Sequence, residues 1–173
     1  MAESVVIRPA VARRFGTFIR HGRVLFFSAP CSFGKSLLAD TLLGGRRALR
    51  LQAGTPEAAL PPQEADWDIL LIDDFQLQQD DRELQALCAL IRESPDRRFI
   101  LLSRAAPPGC MMAFQYAGLM TVLEADDLLF DREDARRLFR LFETPVTDSD
   151  LDAILHKSIG YPLGLAVFDA GHE

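Results

Sequence analysis

The stretch Ala29-Pro30-Cys31-Ser32-Phe33-Gly34-Lys35-Ser36 decides how the rest of the chain reads. An apolar run, Val24-Leu25-Phe26-Phe27, precedes it, and Leu37-Leu38-Ala39-Asp40-Thr41-Leu42-Leu43 follows with helical spacing. Strand, tight loop, then helix is the setting a phosphate-binding loop requires. Successive loop N–H groups can point inward while the helix offers its positive end, so phosphate oxygens meet ready-made donors. Lys35 is placed to reach β- and γ-phosphates, and the Ser36 hydroxyl to ligate Mg²⁺. The first glycine of the usual G-x-x-x-x-G-K-[ST] pattern is Ala29 here. The plainer alternative is a buried strand ending in an ordinary glycine turn.

Working outward, Arg8-Pro9 breaks regular structure, and apolar residues three or four apart from Ala12 to Arg20 predict a short amphipathic helix. It should end near His21-Gly22, with Gly22 as a left-handed cap. Gly44-Gly45 should stop the helix that starts at Gly34. Ala48 to Ala53 alternates as a half-buried strand does, and residues 54–66, with three prolines, read as loop. Asp68-Ile69-Leu70-Leu71-Ile72-Asp73-Asp74 and Phe99-Ile100-Leu101-Leu102-Ser103 read as strands buried on both faces. Between them Asp80/Asp81 open a helix with Leu84, Leu87, Cys88 and Ile91 on one face. Thr121-Val122-Leu123-Glu124 is the last strand.

Strands alternating with helices imply an α/β fold, a parallel sheet covered on both faces. Ligands in such sheets bind beyond the carboxyl ends of the strands. The loop, Asp73/Asp74 and Arg104 each follow a strand, so one crevice should collect them. Asp73 suits a Walker B carboxylate holding Mg²⁺, Asp74 the orientation or deprotonation of an attacking water, and Arg104 the γ-phosphate charge. From Asp131 onward only helices are predicted. Asp131 caps one with Ala135, Leu138, Phe139 and Phe142 inward, and Thr147 with Asp150 forms a capping box for the next. Gly160 ends that helix, and Pro162 suits the first turn of a third. The domain reading is residues 1–126 for the nucleotide-binding unit and 127–173 for a small, incomplete helical subdomain.

The net charge of −6 is uneven: residues 1–50 carry nine Lys/Arg against two acids, and residues 51–173 carry ten against twenty-three. A basic end that meets nucleotide phosphates explains this better than a nucleic-acid face. Three cysteines without a C-x-x-C pair argue for reduced thiols in a cytoplasmic protein rather than a disulfide framework or zinc site. The three histidines lack metal-ligand spacing. Cys31 reads as a small loop residue, Met111-Met112 and Phe114 as core or interface, and Lys157 and Arg13/Arg14 as solvated charge. No run is long enough to span a membrane, and the start lacks a signal-peptide pattern.

Taken together, Ala29-Pro30 through Gly34-Lys35-Ser36, Ile69-Leu70-Leu71-Ile72-Asp73-Asp74, Leu101-Leu102-Ser103-Arg104 and Gly160-Tyr161-Pro162, with Arg8-Pro9 ahead of them, resemble the STAND class of signalling ATPases. The likeness is greatest to the nucleotide-binding module of MalT-like, LuxR-type transcription activators, and it covers nearly the whole chain in order. It implies an ASCE/AAA-like P-loop NTPase fold with strand order 5-1-4-3-2. It also implies an ATP/ADP site with Mg²⁺. Ala29, Ser32, Phe33, Gly34, Lys35, Ser36, Leu37, Arg8 and Pro162 would bind the nucleotide, with Pro162 in the segment that closes over adenine. Asp74, Lys35 and Arg104 would be the catalytic set, and Ser36 and Asp73 would hold the metal. Ser32 departs from the family, which usually has glycine there. No winged helix, repeat sensor or DNA-binding motif accompanies the module, so the chain is expected to be the front of a larger regulator or a stand-alone copy. Following domains or a second copy would be its partners.

The resulting expectation is an ATP/ADP-binding regulatory switch in which hydrolysis is slow or missing. The absence of an Asn-Lys-x-Asp motif favours adenine over guanine. One alternative is a P-loop small-molecule kinase, although residues 105–120 contain no arginine for a lid. The other is a nucleotide-independent interaction domain.

Overall fold

In the core strands, successive residues face opposite sides of the sheet, and here both sides are apolar. The computed structural model describes residues 5–31, 33–56, 59–61, 65–162 and 165. Five strands, β1 (Val24–Ser28), β2 (Ala48–Gln52), β3 (Ile69–Asp73), β4 (Arg98–Ser103) and β5 (Met120–Glu124), form one parallel sheet in the order 5-1-4-3-2. This is the order that the resemblance implies.

Val24 and Phe26 of β1, Leu70 and Ile72 of β3, and Phe99 and Leu101 of β4 point to one face. Helix α3 (Asp81–Glu93) covers that face through Leu84, Leu87, Cys88 and Ile91, and α4 (Met112–Tyr116) adds Phe114. Leu25, Phe27, Ile69, Leu71, Ile100 and Leu102 point to the other. There α1 (Pro9–His21) brings Val11, Phe15 and Phe18, and α2 (Lys35–Leu43) brings Ala39, Leu42 and Leu43. β2 alternates exposed and half-buried residues because it is an edge strand.

Short helix α5 (Ala125–Leu128) leads into α6 (Arg132–Leu141) and α7 (Asp148–Ser158). The predicted Asp131 cap forms, and the structure completes it as a capping box with Asp134 at the start of α6; the predicted Thr147–Asp150 capping box opens α7. Ala135, Leu138, Phe139, Leu151, Ile154 and Leu165 make a separate apolar cluster, joined by Val6 from the N-terminal segment. These helices are therefore tied to the start of the chain.

Several local expectations change. Gly22 ends α1 with φ −85°, ψ 174°, extended rather than left-handed. A side chain is excluded there by contact instead, since a Cβ would lie 3.1 Å from the Phe18 backbone. Phe142 is 40% exposed rather than inward. Arg14 is not free solvated charge: it donates to the Val122 carbonyl and pairs with Asp127 at 2.9 Å. α7 ends at Ser158 with Ile159 as its cap, in the left-handed region at φ 54°, and Gly160 follows in the same region at φ 73°. Ser32, Leu163, Phe168 and most of the predicted third helix lie outside the described residues.

Candidate functional site

In a parallel sheet all carboxyl ends lie at one edge, which is how residues far apart in sequence meet here. Ser28, Ser103 and Glu124 stand level in the sheet, and Gln52 stands level with Asp73. The loop after β1 crosses this edge, and its Ala29 N–H donates to the Ser103 carbonyl at 3.2 Å. Gly34 closes the loop in the left-handed region, φ 71°, with no atom within 4 Å of where a Cβ would sit. Conformation, not crowding, demands glycine. α2 has neither a side-chain cap nor an acidic residue in its first turn, which leaves its positive end open to an anion.

Lys35 lies back over the loop, its ammonium donating to the carbonyls of Ala29 at 2.6 Å and Pro30 at 2.7 Å. Burial, then the neighbouring Arg104 charge, lowers its pKa below the ordinary 10.5, with Asp73 and Asp74 opposing. Ser36 Oγ donates to Asp73 Oδ2 at 2.9 Å, and Asp73 Oδ1 accepts the Asp74 N–H at 2.9 Å. Hydroxyl and carboxylate thus sit side by side as hard oxygen donors. No group of three His, Cys, Asp or Glu that could hold a metal occurs among the described residues. Such a pair fits Mg²⁺, which binds through one or two protein oxygens, waters and substrate phosphates rather than in an all-protein cage.

Asp74 adopts a left-handed backbone, φ 50°, and both carboxylate oxygens have donors. Gln52 Nε2 reaches Oδ2 at 2.7 Å, while Gln76 Nε2 and Arg104 Nη2 reach Oδ1 at 3.0 and 3.3 Å. Gln76 also accepts the Arg104 N–H at 3.0 Å, tying the ends of β3 and β4 together. The Gln76 hydrogen bond first, with help from Gln52 and Arg104, holds Asp74 below the usual carboxylate range against the opposing effect of burial. The sequence singles out Asp74 and Arg104, which the structure brings together, but not the two glutamines beside them; a polar residue closing β2 was the available signal.

Beside the loop lies a cavity of about 210 Å³. Phe33, Leu37, Leu128, Phe130, Phe142 and Pro162 supply much of its apolar wall. It is smaller than the ~300–1,000 Å³ of sites that enclose a whole drug-sized ligand, so it suits one ring system with the remainder outside. Arg8 borders it, but its Nε donates to Asp134 Oδ2 at 2.9 Å and its Nη1 to the Asp127 carbonyl at 2.9 Å. Asp134 is buried and also holds Arg137 at 3.0 Å. Arg8 therefore latches α5 and α6 to the N-terminal segment rather than presenting a free cation. On the far side, Gly160 approaches Phe130 so closely that a Cβ would lie 2.5 Å from its carbonyl oxygen. Tyr161, unnoticed as a site residue in the sequence, donates to the Cys31 carbonyl at 3.1 Å.

No protein-family model matches the chain, and no curated protein matches it significantly. Among solved structures, a Walker-type ATPase of Pyrococcus abyssi superposes with TM-score 0.64 at 15% identity, over 95% of this chain and 67% of that one. A STAND protein with a tetratricopeptide repeat sensor from Pyrococcus horikoshii gives 0.66 at 16%, over 95% of this chain and 30% of its own. RuvB of Thermotoga maritima gives 0.54 at 16%, over 95% and 61%. The fold is that of P-loop ATPases. This chain spans less than a third of the STAND protein's length.

Proposed function

We propose that the chain is an adenine-nucleotide-binding module used with Mg²⁺ as a conformational switch, with hydrolysis slow or absent. The observation that carries this is the Ser36–Asp73 contact at 2.9 Å beneath the Lys35 loop, beside an apolar cavity of base size. In this reading the loop and the start of α2 bind phosphates, and Lys35 moves from its own carbonyls onto them. Ser36 and Asp73 hold the metal, whose chemistry when bound is neutralisation of phosphate charge. The base enters the cavity against Pro162. Three donors already draw on the Asp74 carboxylate, which makes it a weaker base toward water and supports slow turnover. The residue order quoted for the STAND resemblance, together with the fold likeness to a STAND protein, supports a place in a MalT-like, LuxR-type regulator, with following domains or a second copy as partners. Domains split at residues 126/127 belong to the same proposal.

Thermal unfolding with and without Mg-ATP tests it. At ligand 100-fold above Kd, linkage stabilises a protein by about 2.7 kcal/mol, or roughly 5–10 °C in Tm at this chain length. A melting temperature indifferent to saturating Mg-ATP and Mg-ADP would favour a nucleotide-independent interaction domain.

A further inference from the structure

Tyr161 joins the helical part of the chain to the phosphate loop. Its hydroxyl donates to the carbonyl of Cys31, 130 residues earlier, at 3.1 Å, and its ring packs on Phe33 with centroids 4.8 Å apart. Both contacts are with loop residues, one polar and one apolar. The segment behind Tyr161 has little room to yield. The Gly160 carbonyl accepts the Phe130 N–H at 2.8 Å, the Tyr161 N–H donates to Ser158 at 2.9 Å, and the Gly160 Cα abuts the Phe130 backbone. Phe33 and the next residue in the segment, Pro162, both line the base-sized cavity. A loop movement at Cys31 or Phe33 must therefore either break the Tyr161 contact made there or carry Gly160–Pro162 with it.

We propose that Tyr161 is a positioning residue of the phosphate loop, fixing Cys31 and Phe33 and moving with them when the loop is occupied. This deepens the nucleotide reading and rests on it: phosphate occupancy would pass through Tyr161 to α7 and to the Pro162 wall of the cavity. The hydroxyl contributes one hydrogen bond to a backbone carbonyl. Without that bond the free loop loses its anchor, and nucleotide binding would have to order it; Tyr161→Phe should therefore weaken Mg-ADP binding by up to the worth of one such bond, about fivefold.

The chain has two tyrosines, and the other, Tyr116, is 85% exposed. Full-length protein carrying 3-fluorotyrosine therefore gives two ¹⁹F signals, assigned with Tyr161→Phe and Tyr116→Phe. Mg-ADP should shift the Tyr161 signal and leave Tyr116 in place. Phe33→Leu should shift Tyr161 without any nucleotide, and Tyr116→Phe should bind Mg-ADP like wild type. A Tyr161 signal unmoved by Phe33→Leu, or Mg-ADP binding that neither moves that signal nor weakens in Tyr161→Phe, would overturn the proposal. Failure of the nucleotide reading has a separate mark. Calorimetry then shows no Mg-ADP binding to wild type, while the Phe33→Leu arm still decides for or against the Tyr161 contact.

Discussion

Two neighbouring carboxylates at the end of β3 have different surroundings, and different roles should follow. Asp73 faces Ser36, whereas Asp74 accepts from Gln52, Gln76 and Arg104. Asp73→Asn should weaken the Mg²⁺-dependent part of nucleotide affinity, by roughly tenfold if one carboxylate–metal contact is lost. Asp74→Asn should keep affinity and remove whatever phosphate release the wild type shows. Titrations with and without Mg²⁺, beside a phosphate-release assay, separate the two; equal affinity losses would merge them into one metal site. Lys35 supplies the pH dependence. Its pKa is lowered in the free protein, so between that value and 10.5 the unfolded chain binds more protons and rising pH stabilises the fold. Phosphate would favour the charged form, so binding takes up a proton, and affinity should fall as pH climbs through the same window. Lys35→Arg should flatten that decline, measured by calorimetry across alkaline pH. A wild-type affinity constant across this range would remove Lys35 from the phosphate site.

The elements show what sequence can and cannot carry. Val24–Phe27, Ile69–Ile72 and Phe99–Leu102 are apolar at every position, and only a strand covered on both faces satisfies that, so the central sheet was legible. The Asp131 cap and the Thr147–Asp150 capping box were legible because the side chain and the backbone it serves lie three residues apart. Gly22 was misread, because left-handed backbone and crowding against Phe18 both select glycine. Arg8 does border the cavity, but its ion pair with Asp134, 126 residues away, was not legible. The Gln52–Asp74 contact, the Gln76–Arg104 contact and the reach of Tyr161 were hidden for the same reason: they are tertiary contacts without local periodicity. The Arg8–Asp134–Arg137 latch invites a direct test. Asp134 is buried, but Arg8 and Arg137 reach solvent, so Asp134→Asn should cost about 2–3 kcal/mol, below the ~3–5 of a fully buried pair. That is a Tm drop of roughly 5–10 °C; an unchanged Tm would mean that the latch contributes nothing.

At the scale of the whole molecule, one sheet edge gathers the phosphate loop, both acids and Arg104, and the helices after Glu124 return to that edge to close the cavity. No helix among the described residues is long and apolar enough to cross a membrane. The arrangement makes the central claim narrow: phosphates are held by the loop that contains Lys35. Titration calorimetry of wild type and Lys35→Ala with Mg-ADP and Mg-ATP tests it most directly. Wild type should bind measurably at one to one, and Lys35→Ala should lose at least about tenfold, roughly 1.4 kcal/mol. Equal binding by the two proteins, or none by either, would contradict it.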